Sequence, residues 1–167
     1  MNENITNKDP KNQDLFIIRI FEAPRERMWK AWTHPDLMKR WWGPKGFTSP
    51  YCKIDFRVGG KFLNCIRSPE GKEYWSTGVY REIVPLERIV CTDSFADEKG
   101  NVVPATQYGM SADIHLEMLV TVTFEEHEGK TTLTLQHVGI PAGAERDGAC
   151  LGWNQSLDKL AYLARVT

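Results

Sequence analysis

Apolar and polar positions follow a short period at the first clear stretch of the chain, L-F-I-I-R-I-F over residues 15–21, and this β-branched run predicts a strand. The period then lengthens. Met28 and Trp32 share a face at i, i+4 spacing with Trp29 beside them, so a helix is expected from Pro24, whose missing N–H costs nothing in a first turn. A second short helix is expected to open at Pro35-Asp36, where the acid suits the helix N-terminus, and to close at Gly43-Pro44. Strand patterns resume over residues 51–57 and 61–67 across a Gly59-Gly60 turn, then over 73–84 and 88–95. Residues 96–113 carry Gly, Pro, Asn and Ser without periodicity and predict a long loop, a lid or a partner surface. Residues 116–126 and 130–138 predict a last hairpin closed by H-E-G.

Alternation assigns faces. Leu116, Met118, Val120, Val122 and Phe124 fall on one side of the hairpin, and on its partner strand Leu133, Leu135 and His137 fall together. The same rule sets Asn64 between Phe62 and Ile66. Two polar residues therefore lie on apolar faces. Residues 142–166 switch to helical spacing, with a stripe of Trp153, Leu157, Leu160 and Ala164 on about 37 Å of helix. Gly148 and Gly152 lie inside it, each costing about 1 kcal/mol against alanine, so something there requires close approach or empty space.

One strand, two short helices, about six further antiparallel strands and one long helix predict an α+β helix-grip architecture. The sheet, of about 6–7 strands, is curved, and its apolar face must be covered; only the terminal helix is long enough to do so. A curved sheet gripping one helix leaves a wedge, with the two short helices at its mouth, and an internal cavity there is the natural ligand site.

Composition narrows the function classes. Twenty-one Lys and Arg against 22 Asp and Glu leave a formal charge of −1, which offers no basic footprint for nucleic acid. No apolar run approaches the ~20 residues of a membrane span. The polar start has no apolar h-region, so residues 1–13 are expected to be a flexible tail, residues 14–167 one domain, and the location cytoplasmic. Cys52, Cys65, Cys91 and Cys150 are widely spaced and do not pair with the four histidines at metal-ligand spacing. No metal and no cofactor is expected. The pattern leaves oligomeric state open, a homodimer included.

Several stretches together resemble a known family: F-E-A-P-R-E-R-M-W-K-A-W-T, R-W-W-G-P, D-F-R-V-G-G-K-F, G-V-Y-R-E-I-V-P-L-E-R-I-V, V-T-V-T-F-E-E and G-W-N-Q-S-L-D-K-L. In this order they are similar to the START-like (SRPBCC, birch-pollen-allergen-like) superfamily, and within it to the group of the activator of heat-shock-protein-90 ATPase. The resemblance implies the helix-grip fold over residues 15–166. In the eukaryotic co-chaperone of that group a separate preceding domain carries the main chaperone-binding role. Only about fourteen residues precede the first strand here, so the co-chaperone role is not expected to transfer.

The leading expectation is a domain binding a small hydrophobic or amphipathic ligand. Trp41, Trp42, Phe62, Asn64, Ile66, Tyr80, Val120, Val122, Leu135, His137, Trp153 and Leu157 are expected to line its cavity. His137 and Asn64 are the polar contacts; Tyr80 joins them unless a bulge near Gly78 changes its facing. Adjacent Trp41 and Trp42 cannot both face inward from one short helix, so one indole is expected to face the cavity. Two alternatives stand beside this: a cyclase- or hydrolase-type enzyme using His137 as general base, and a chaperone-related protein-interaction module. No G-x-S-x-G, no Cys–His arrangement and no close carboxylate pair supports catalysis.

Overall fold

A computed structural model describes residues 5–7 and 14–166 of the chain. Its strands are Ile5–Asn7 (β1), Asp14–Phe21 (β2), Thr48–Ile54 (β3), Lys61–Arg67 (β4), Glu73–Val84 (β5), Arg88–Ala96 (β6), Met118–His127 (β7) and Lys130–Val138 (β8). Its helices are Arg25–Thr33 (α1), Pro35–Met38 (α2) and Ala144–Val166 (α3). The tail expected over residues 1–13 lies outside the described residues except for β1, which extends the edge of β2.

Every strand pairing is antiparallel, in the order β1-β2-β8-β7-β6-β5-β4-β3. Strands β3 to β8 pair in sequence as a meander, and β2 closes onto β8 with Ile17 opposite Leu135. Hairpin alternation puts Met118, Val120, Val122 and Phe124 inside, with the Phe124 ring against Trp29 and Trp32 of α1. Leu116 departs from the expected pattern: it precedes β7 and is exposed, because the strand begins only where pairing with Asp93 starts. The second short helix is also shorter than expected. It makes one turn, and further turns carry the chain to Trp42 before Gly43 leaves at φ +106. That value suits glycine, which has no Cβ to clash there. This is the α+β helix-grip architecture.

The main core cluster lies between sheet and helices, with Phe21, Met28, Trp41, Val122, Phe124, Leu133, Leu135, Leu157 and Leu160 at its centre, and a smaller one gathers Ala105, Ile114, Met118 and Ile140. One buried and one half-buried cation, Arg19 and Arg27, tie elements together across the main cluster. Arg19, on the inner face of β2, donates from Nη1 to the Asn154 carbonyl at 3.0 Å and pairs through Nη2 with Asp158 at 2.9 Å, both on α3. Arg27 on α1 donates to the Ala164 carbonyl at 2.8 Å. That carbonyl sits in the last turn of α3, where no further turn supplies an N–H.

On β5 the chain runs close to its neighbour. A Cβ at Gly78 would meet the Thr92 carbonyl oxygen at 1.9 Å and the Phe62 ring at 2.5 Å, so only glycine fits. The register shifts between Tyr80 and Glu82, and Tyr80 stays buried on the inner side.

Candidate functional site

Strand registry brings three side chains from distant parts of the chain together. Asp93 on β6 stands opposite Met118 on β7, and His137 on β8 stands opposite Val120 on β7. Asp93 and His137 are thus two strands apart, and their side chains lean toward each other over β7. His137 Nε2 lies 3.2 Å from Asp93 Oδ2, a close polar contact that is out of line for a straight hydrogen bond. On its other side the Trp153 indole N–H donates to His137 Nδ1 at 3.0 Å. An indole nitrogen only donates, so Nδ1 must be the bare nitrogen, and the ring proton of the neutral imidazole sits on Nε2, on the side of Asp93.

Above this trio a pocket of about 450 Å³ opens between the first half of α3 and strands β4 to β6. Trp42, Ile66, Tyr74, Trp75, Phe95, Met118 and Trp153 supply apolar walls, and Met110 and Ile114 close one end. Those two come from the long loop expected over residues 96–113 and its continuation. The loop is held in place: the Tyr108 hydroxyl donates to the Ala96 carbonyl at 2.5 Å and accepts from the Trp75 N–H at 3.2 Å. The Ser111 N–H also reaches Glu145 Oε1 on α3 at 3.2 Å.

Gly148 and Gly152 of α3 face the pocket. A Cβ at Gly148 would meet nothing within 4 Å, and one at Gly152 only Pro44 at 3.5 Å. These glycines therefore leave space rather than permit a close approach.

A second, much smaller void of about 40 Å³ lies deeper, bounded by Phe62, Asn64, Tyr80, Val120 and Val122, and it shares Trp42, Asp93 and Trp153 with the pocket. Asn64 is 2% exposed, and its Oδ1 has no hydrogen-bond partner among the described residues. At this void burial pushes the Cys91 thiol and the Tyr80 hydroxyl well above their ordinary ranges, and outside its lining burial raises Cys52 to about 11. All of these groups are neutral at physiological pH.

The sequence-derived set separates into three groups. Trp42, Ile66, His137 and Trp153 line the larger pocket. Phe62, Asn64, Tyr80, Val120 and Val122 line the deeper void, with Trp42 and Trp153 shared. Trp41, Leu135 and Leu157 line neither: each is fully buried, and the Trp41 indole donates to the Ala31 carbonyl at 2.9 Å. The indole of the R-W-W-G-P pair that faces the pocket is Trp42, and Trp41 is its anchor.

Asp93 was not among the expected residues. Its signal is present in β6, where Ile89, Cys91, Asp93 and Phe95 alternate onto one face, an acid among apolar positions. Among the described residues no three His, Cys, Asp or Glu side chains converge as metal ligands.

Residues 22–165 match the family model described as Activator of Hsp90 ATPase homolog 1-like protein. The chain belongs to this family. Among solved structures, a protein of Chromobacterium violaceum shares 30% identity over 91% of this chain and 96% of its own, with a TM-score of 0.73. A protein of Nitrosomonas europaea shares 23% over 92% and 94%, with a TM-score of 0.74. A solution structure of an Arthrobacter aurescens protein reaches a TM-score of 0.79 at 21% identity, over 98% and 92%. No curated protein matches the chain. The Activator of Hsp90 ATPase homolog 1-like family is thus the frame for this site, within the SRPBCC, START-like superfamily. Among the described residues no helix is long and apolar enough to cross a membrane.

Proposed function

We propose that this domain binds a small, largely apolar ligand in the pocket between α3 and the sheet. The observation that carries the reading is a pocket of about 450 Å³ with aromatic and aliphatic walls, converging on the Asp93–His137–Trp153 group. Its size lies within the roughly 300–1,000 Å³ of small-molecule sites, and few, fixed polar groups in apolar walls are their usual make-up. The His137 ring is set by Trp153 on one nitrogen and faces Asp93 with the other, so a ligand meets an oriented polar group.

The catalytic alternative has less support. A general base needs a free lone pair, and the unprotonated nitrogen of His137 is occupied by the Trp153 N–H. The chaperone-related alternative rests on the family description alone.

Native mass spectrometry of protein purified from its own host tests the proposal, with a retained small molecule as the expected result. Ligand addition should change tryptophan emission and raise the melting temperature, and Trp153→Ala should weaken binding about tenfold or more. A tight binder whose affinity is untouched by Trp153→Ala and by blocking substitutions at Gly148 would overturn it.

A further inference from the structure

We infer that the pocket is selective for an amphipathic ligand carrying a cationic amine, and discriminates against the carboxylate head of a fatty-acid-like molecule; this rests on the pocket reading above. The charges on its wall are of one sign. Asp93 and Glu145 line the pocket, and no Lys or Arg does so among the described residues. Glu145 already accepts the Ser111 N–H. Asp93 is less occupied: among the described residues its carboxylate makes a contact with the off-line His137 Nε2 and no hydrogen bond.

A second acceptor belongs to the wall of the deeper void. Asn64, 2% exposed, lines the deeper void whose wall Asp93 shares, and its Oδ1 has no hydrogen-bond partner among the described residues. Buried acceptors of this kind are normally matched to donors. An ammonium has three N–H donors and no acceptor, which suits a carboxylate and an amide oxygen at once. The indole faces of Trp42, Trp75 and Trp153 add an environment that favours cations over anions. A carboxylate head would instead bring a third negative charge beside Asp93 and Glu145, with no cationic side chain to offset it.

Calorimetric titration of matched ligands decides the question. A naphthyl and a decyl series, each as amine, alcohol and carboxylate, are titrated into the full chain at neutral pH. The amine is expected to bind at least about tenfold more tightly than the alcohol, with the carboxylate weakest. Asp93→Asn should bring the amine to within about threefold of the alcohol. Equal binding of the three heads, a preference for the carboxylate, or an amine preference that survives Asp93→Asn overturns the inference while leaving the pocket reading standing. Failure of both series to bind with any head group overturns the pocket reading and the inference with it. The ranking in the unmodified protein needs no variant to fold.

Discussion

At the scale of single residues, the site is set by what each polar atom can donate or accept. Trp153 gives His137 a donor at Nδ1, so the imidazole should be the Nε2–H tautomer, which nitrogen-15 NMR of the ring reads directly; an Nδ1–H signal would contradict the geometry. Trp153→Phe keeps most of the ring and removes the donor. It should cost about 1–2 kcal/mol in urea unfolding, since a buried acceptor is left without a partner. The cysteines give a pH dependence. Burial holds the Cys52 and Cys65 thiols at about 11 against an ordinary 9.0, and raises Cys91 further. Between about pH 9 and 11 the unfolded chain therefore releases protons that the folded chain keeps. Stability is complete below the ordinary thiol value and falls as pH rises above it. Denaturation between about pH 8.5 and 10.5 should show that fall, with a smaller slope in Cys91→Ala. Sequence alternation was enough to put His137 and Asn64 inside. It gave no distance, and the closeness of Asp93 to His137 across an intervening strand depends on the registry of two separate pairings.

Elements bring these residues into place, and α3 bears most of that task. Its attachment to β2 through Arg19 is asymmetric, because the Arg19 side chain is 3% exposed and that of Asp158 65%. Removing the exposed partner strands a buried charge, whereas replacing the buried one by an apolar chain of similar length removes the charge altogether. Asp158→Ala should thus cost about 2 kcal/mol and Arg19→Met less than about 1 kcal/mol, an order opposite to what burial alone suggests, and denaturant midpoints check it. The glycines of α3 give a second expectation. Gly148→Ala adds a methyl group into open space on a helix and should stabilise the protein by up to about 1 kcal/mol. The helix and its glycines were legible from spacing because helical periodicity reports faces. The short second helix was less so: its end is set by Gly43, but turns after Met38 replace regular helix, and such turns leave little periodic trace.

For the whole molecule, the fold followed from the order of elements, since an antiparallel meander with one apolar face has few ways to be covered by a single long helix. What the chain pattern did not contain was the division of the interior into a larger pocket and a deeper void. That division depends on how Trp42, Asp93 and Trp153 meet, three side chains from α2's exit, β6 and α3. Trp41, Leu135 and Leu157 share faces with cavity residues yet sit in solid core, because a face of a sheet or helix is longer than any pocket on it. The aromatic cluster that fills this boundary has an optical consequence. Trp32 lies 4.8 Å from Trp41, 6.2 Å from Trp42 and 6.1 Å from Trp153, the last at an interplanar angle of 20°, while Trp42 lies 5.2 Å from Trp153. At such separations indole transition dipoles couple, so excitation absorbed anywhere in the group is shared among its members. The protein should show an exciton couplet in its ultraviolet circular dichroism, reduced in Trp32→Phe. A molecule touching Trp42 alone would then dim the emission of all four rings, so the cluster acts as an antenna whose output is read at the pocket wall.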